Sequence, residues 1–275
     1  MNCRFIWSRF YQSAKGRIKN IWGIWFLDPP KDISLDGWRI DSVIQYTDLV
    51  ITVYFSLVVL AMLYFIIRYR SRPGHKAVYD RGDTKKQIWI TLTMGLLVFL
   101  SIDVVIEGMS FRDLKEAFWN FPKGENVVKI EVMPQQFAWN FRYAGDDGEF
   151  GTEDDLIPSQ NQMHIPVNLP VVVQVAPYDV IHSFYLPNFR VKIDATPGMI
   201  NTMWFQATET GNFEIACAEL CGNSHYRMKG YLTVESEEDY NNWLQSLDEE
   251  GPEDEWEDED DETPTRWGWA WKEAI

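Results

Sequence analysis

The chain is predicted to fold as a membrane α-helical hairpin followed by an all-β barrel or sandwich domain. Three observations predict it: two apolar runs within residues 49–106, a change after them to short β-branched and aromatic runs, and turn signals between those runs. The 46% hydrophobic content excludes a wholly disordered chain, and 275 residues suffice for one buried domain with accessory segments.

Residues 1–44 read as an extracytoplasmic or interfacial segment. Arg4, Arg9, Lys15, Arg17 and Lys19 interleave with Phe5, Trp7, Phe10, Tyr11, Trp22 and Trp25, a mixture suited to anionic headgroups. Cys3 follows Met-Asn with no apolar stretch before it and reads as a bystander.

Residues 45–110 read as the two-helix hairpin. Leu49 to Ile67 is nineteen positions without a charge. At about 1.5 Å per residue this nearly covers a hydrocarbon core of about 30 Å. The second run, Ile88 to Ile102, is shorter and crosses only if it extends through Asp103 to Ile106, with Asp103 near an interface or against a partner. Between the runs lie Arg68, Arg70, Arg72, Lys76, Arg81, Lys85 and Lys86, whereas the twenty residues before the first run hold only Lys31 and Arg39. Positive charge resists export, so the loop is expected in the cytoplasm and both chain ends outside. The basic far N-terminus opposes this topology, more weakly for its distance from the span.

Residues 127–234, about 108 positions, carry the β pattern: VVKIEVM at 127–133, QFAWNFRY at 136–143, VVVQVA at 171–176, NTMWFQAT at 201–208 and GYLTV at 230–234. Turns fall at Ala144 to Asp147, Pro177-Tyr178 and Thr196-Pro197-Gly198. The loop 144–155 gathers Asp146, Asp147, Glu149, Glu153, Asp154 and Asp155 with three glycines. It reads first as a solvated acidic turn. Its oxygen donors leave calcium open, although the spacing is not that of an EF-hand.

Residues 235–275 read as an acidic, disordered tail with a Trp-rich end. Positions 248–262 hold twelve acids and no base, and so supply 12 of the formal net charge of -16. Such a run repels itself, stays solvated and argues against nucleic-acid binding. Trp267, Trp269 and Trp271 suit an anchor to a partner or lipid.

The chemistry concentrates in Cys217-Ala218-Glu219-Leu220-Cys221-Gly222-Asn223-Ser224-His225-Tyr226-Arg227-Met228, with His182 upstream in Ile181-His182-Ser183-Phe184. Thiolate, imidazole and thioether are soft donors that favour copper over magnesium, calcium or manganese. A single blue copper takes one Cys, two His and a weak Met, so this chain carries a thiolate too many. A second metal ion explains the surplus: both thiolates bridge two coppers, each with one histidine and one weak ligand, Met228 on one side and the Glu219 carbonyl on the other. A Cys217–Cys221 disulfide and a two-Cys, two-His zinc site remain open, the latter leaving Met228 unexplained. His75 and His164 lie outside the motif and read as ordinary surface or core residues.

The pattern H-S-F followed by C-A-E-L-C-G-x-x-H-x-x-M resembles the dinuclear copper site of subunit II of cytochrome c oxidases. The likeness runs over roughly residues 45–235, including QFAWNFRY, M-H-I-P-V and K-I-D-A-T-P-G. It implies a cupredoxin-type barrel holding two copper ions on His182, Cys217, Glu219 through its carbonyl, Cys221, His225 and Met228, with magnesium shared with subunit I through the Glu219 side chain. It also implies one-electron relay from cytochrome c or another membrane donor complex to haem in subunit I, where dioxygen is reduced, with subunit III as a further partner. The implied home is a bacterial inner membrane with the copper domain on the periplasmic side; a mitochondrial membrane preserves the same topology.

The chain departs from the family in places. Where many relatives begin the aromatic run with a tryptophan that receives electrons, this chain has Phe137, leaving Phe137 and Trp139 as candidates for that contact. Twelve acids against six bases in residues 127–234 suit a basic donor. Lys85, Lys86 and Gln87 stand where many relatives place a glutamate near a proton path, and no Cys-x-x-Cys-His marks a fused cytochrome. The copper subunit of a nitric oxide reductase is a near alternative. A membrane-anchored copper chaperone would need βαβ units that the pattern lacks, and a metal-free quinol oxidase subunit would lack the copper ligands.

Overall fold

The structure is a computed structural model that describes residues 29–250 except 77, 78, 125, 146 and 153, together with the side chains up to residue 247. The aromatic and basic N-terminus through residue 28, and the acids and tryptophans beyond residue 250, lie outside the described residues. The chain divides into a helical unit, residues 39–119, and a second unit formed by the residues up to 38 and from 120 onward.

In the helical unit, α1 (Gly37–Arg68) is followed by α2 (Lys85–Ser101), α3 (Asp103–Asp113) and a π turn at Leu114–Phe118. Both arms therefore run past the 45–110 expected from hydropathy. The physical reason is that Asp41, Asp48, Asp103 and Glu107 end an apolar run without breaking the backbone ladder of a helix. Thr84 and Gln87 close a reciprocal capping box that starts α2. Its end is marked by a break at Ile102, with φ −105° and ψ −71°. The arms are joined at two levels. Tyr46 Oη donates to the Ser101 carbonyl and Tyr54 Oη lies 2.7 Å from Ser101 Oγ, while Arg39 sits between Asp113 and Glu116 at 3.0 Å from each. Phe55, Ile66, Trp89 and Met94 are all more than 60% exposed, an apolar surface suited to cover by lipid or by partner helices. Both arms are long and apolar enough to cross a membrane.

In the second unit, β-branched and aromatic residues alternating with polar ones build two sheets among the described residues. One has the order β2-β1-β4-β7, from β1 (Val128–Gln135), β2 (Ala138–Tyr143), β4 (Pro170–Val175) and β7 (Asn201–Gln206). The other has the order β3-β9-β8-β5-β6, from β3 (Gln162–Pro166), β5 (His182–Leu186), β6 (Val191–Ala195), β8 (Gly211–Cys217) and β9 (Lys229–Glu235). Pairing is antiparallel except for β1 with β4 and β3 with β9. Period two sends Val171, Val173 and Val175 inward to meet Ile130, Val132, Trp139, Phe141, Phe184, Ile215 and Leu232 between the sheets. Thr196-Pro197-Gly198 is a turn closed by Met199 N–H on the Thr196 carbonyl, with Gly198 supplying φ +79°.

Two further segments complete the core. Residues 31–36 cross the β unit: Ile33 donates to the Asn188 carbonyl, accepts from Thr208 N–H and is fully buried. Beyond β9, where the sequence reads as a disordered tail from 235, α4 (Glu237–Glu250) forms instead. Tyr240, Trp243 and Leu244 recur at helical spacing and give it an apolar face that like-charge repulsion does not overcome. Trp243 stacks on His164 with ring centroids 4.2 Å apart and meets Tyr143 edge-on, so His164 serves packing.

On the outer face of the first sheet, Glu131 and Arg142 are register partners on β1 and β2 and form a buried ion pair. Arg142 also reaches Asp155 at 3.4 Å, while the Phe150 ring lies 5.8 Å from its guanidinium carbon. One cation thus serves two carboxylates. The acidic loop is less solvated than its composition suggests, because Asp147, Asp154 and Asp155 accept hydrogen bonds from backbone N–H groups of the loop itself.

Candidate metal centre

Strands β5 and β8 pair with Phe184 opposite Cys217, which places His182, at the start of β5, beside the end of β8. The chain then loops through residues 218–228 and returns as β9. Ala218 N–H bonds the Ser183 carbonyl, His225 N–H bonds the Gly222 carbonyl, and a 3-10 turn at His225–Arg227 brings Met228 back inside.

Within this loop, Cys217 Sγ and Cys221 Sγ are 3.8 Å apart. Both thiols are free, well beyond the roughly 2.05 Å of a disulfide. His182 Nδ1 lies 3.9 Å and the Glu219 carbonyl 3.2 Å from Cys217 Sγ; His225 Nδ1 lies 3.6 Å and Met228 Sδ 3.7 Å from Cys221 Sγ. Each sulfur therefore has its own imidazole and its own weak donor. His182, Cys221 and Met228 are buried, and the ligand atoms of His182, Cys217 and Cys221 fall within 4.8 Å of one another.

Burial raises both thiols, but Cys217 is lowered on balance because His182, the Ser183 backbone, the Glu219 backbone and His225 hydrogen-bond to it. Burial and the neighbouring Cys217 thiolate both push Cys221 up. One negative charge is thus favoured and a second resisted, a conflict that bound cations remove. His182 Nε2 lies 2.8 Å from Asp179 Oδ1, which leaves Nδ1 facing the sulfur. Burial opposes the Asp179 charge, yet hydrogen bonds from His182 and from the Gln136 and Val180 backbones hold its carboxyl below the ordinary range. Two thiols, two imidazoles and a thioether form a soft donor set that fits copper.

All six motif residues sit at this locus, Glu219 with its side chain exposed and its carbonyl turned to Cys217. Phe137 is half-buried at the tip of the β1–β2 turn. Trp139 is fully buried, its ring edge toward His182 at 6.5 Å and toward Phe184 at 5.4 Å, so a docked protein would meet Phe137 and not Trp139. Asp179 and Gln136 escape the sequence reading. Asp179 is signalled only by standing three residues before His182, and Gln136 by nothing local.

A family profile described as cytochrome C oxidase subunit II, periplasmic domain, matches residues 128–235. The chain is 31% identical over 244 residues to the alternative cytochrome c oxidase subunit 2 of Bradyrhizobium diazoefficiens, covering 80% of this chain and 83% of that protein. It is 31% identical over 217 residues to the cytochrome c oxidase subunit 2 of Alkalihalophilus pseudofirmus, covering 78% of this chain and 59% of that longer protein. The crystal structure of the periplasmic domain of subunit II of cytochrome oxidase from Bradyrhizobium japonicum superposes with a TM-score of 0.39 and 34% identity, over 47% of this chain and 97% of that one.

Proposed function

The chain belongs to the cytochrome c oxidase subunit II family and transfers electrons to the oxidase core, and from that premise we propose that its cupredoxin domain holds two copper ions in one shared nest. The observation that carries the proposal is the division of donors: His182 and the Glu219 carbonyl flank Cys217, His225 and Met228 flank Cys221, and the sulfurs face each other at 3.8 Å. A single ion would leave part of this set idle.

Copper bound there would supply one-electron redox chemistry. The residues supply rigidity and seclusion. His182 is clamped by Asp179, Cys217 is fixed by its strand, and Met228 is returned to the core by the 3-10 turn. Packing from Trp139 and Phe184 keeps water off the His182 side. The exposed Glu219 side chain is free to reach a magnesium ion shared with subunit I. Phe137, at the rim, offers the apolar contact for cytochrome c or another donor, and the acidic surface of the domain suits a basic one.

The reading extends to location. Positive charge resists export, and the bases of the helical unit gather between its two arms. The segment from Arg68 to Lys86, with Arg70, Arg72, Lys76, Arg81 and Lys85, then lies on the cytoplasmic side of a bacterial inner membrane and the copper domain in the periplasm, beside subunits I and III. We assign residues 1–44 to the extracytoplasmic side, 45–110 to the hairpin's membrane-spanning part, and 127–234 to the copper domain.

Electron paramagnetic resonance of the full chain in detergent, loaded with copper, tests the proposal. The expected spectrum shows one unpaired electron shared equally by two copper nuclei. A mononuclear pattern, or metal analysis giving one copper or one zinc per chain, defeats it.

A further inference from the structure

Gln136 stands in the β1–β2 turn, outside both the histidine strand and the cysteine loop, yet it is bonded toward each. Its backbone N–H donates to Asp179 Oδ2 at 2.7 Å, and Asp179 holds His182 Nε2 through its other oxygen at 2.8 Å. Its side-chain amide donates to the Cys221 carbonyl at 2.5 Å. The adjoining Gly222 leaves the space this needs: a Cβ there would lie 2.6 Å from Gln136 Nε2 and 3.1 Å from the Phe137 ring, and its φ of +136° is one that L side chains rarely adopt.

His182 and Cys221 sit on opposite halves of the donor set, and the main chain separates them by the whole of β5 through β8. Gln136 spans that separation with two hydrogen bonds. We propose that Gln136 is a positioning residue for the metal centre, tying the Asp179–His182 arm to the Cys221 arm and so fixing the distance between its two halves. The inference rests on the dinuclear reading above. Outer hydrogen bonds that hold ligands in place typically matter about 10–100-fold in metal affinity or activity. A centre that passes electrons also gains from ligands that do not move as charge changes.

Gln136→Met keeps the length of the side chain and the backbone N–H while removing the amide donor, and Gln136→Glu keeps the shape while replacing the donor with an acceptor. Each is made in the full chain, purified in detergent and loaded with copper. Three readouts are compared with the parent chain: the copper hyperfine pattern, the rate of copper loss to a chelator, and the melting temperature without metal. The expected result is an altered hyperfine pattern and copper loss about tenfold faster or more, with metal-free melting unchanged. Combination with Asp179→Asn should give less than the product of the separate effects, because both act through one linkage. Parental hyperfine pattern and release rate in both Gln136 variants overturn the inference, as does a lowered metal-free melting temperature with an unchanged spectrum. Multiplicative effects with Asp179→Asn would show two independent arms and overturn the linkage. A parent chain without the two-copper signal refutes the dinuclear reading and this inference together, whereas a two-copper parent whose Gln136 variants keep its spectrum and its release rate refutes the inference alone.

Discussion

Glu131→Gln should remove a pH-dependent weakness from the β domain. Glu131 is fully buried, shares Arg142 with Asp155, and leaves Oε1 without a hydrogen bond. Burial, opposed by Arg142 and aided by Asp155, pushes its carboxyl up from 4.5 to about 7. Because the folded-state value lies above the unfolded one, the fold favours the protonated form. Its contribution is complete below pH 4.5 and is lost as pH rises through 7. Two and a half pH units at about 1.4 kcal/mol each give about 3 kcal/mol lost over that window. Glutamine mimics the protonated acid and cannot ionise. The assay is denaturant unfolding of the metal-free full chain in detergent, followed by tryptophan fluorescence, for parent and variant between about pH 4.5 and 8. The two should be near parity at the acid end, with the variant ahead by about 3 kcal/mol at the alkaline end. A gap that does not change with pH refutes the reasoning, and a variant that weakens as pH rises shows that the Arg142 pair outweighs burial.

Other expectations concern the site and the segments around it. Gly222→Ala forces a Cβ to 2.6 Å from Gln136 Nε2 at φ +136°, so copper bound per chain should fall, with a strain on the order of 1–3 kcal/mol; full copper occupancy would show that the turn yields. Trp243→Ala strips the stacking on His164 and the edge contact with Tyr143. It should cost the metal-free chain about 2–3 kcal/mol in denaturant unfolding, below the range for fully buried tryptophan, and no loss would mean that α4 contributes nothing to the core.

The cluster of soft donors was legible because its chemistry is local: two thiols, two imidazoles and a thioether point to a soft metal from residue types and spacing alone. The hairpin was legible from its uncharged runs, but its ends were not. Helical hydrogen bonds continue through Asp41 and Glu107, whereas hydropathy stops there. Five strands were read directly; β3, β5, β6 and β8 were missed as strands. β3, β5 and β6 are only five residues long, and β3 and β5 find partners far along the chain in β9 and β8. Tyr240, Trp243 and Leu244 carried the helical spacing of α4 in plain view, masked by the acidic composition that follows. The burial of Glu131 and the reach of Gln136 were invisible, since each depends on what another loop lays over it.

Ile33 precedes both membrane helices yet fills the core of the domain made after them. The barrel is therefore closed by a plug synthesised long before its walls. Without that segment the two sheets would keep an unfilled seam where Asn188 and Thr208 now hold the Ile33 backbone, so an early stretch of the chain is needed to finish the domain whose strands come last.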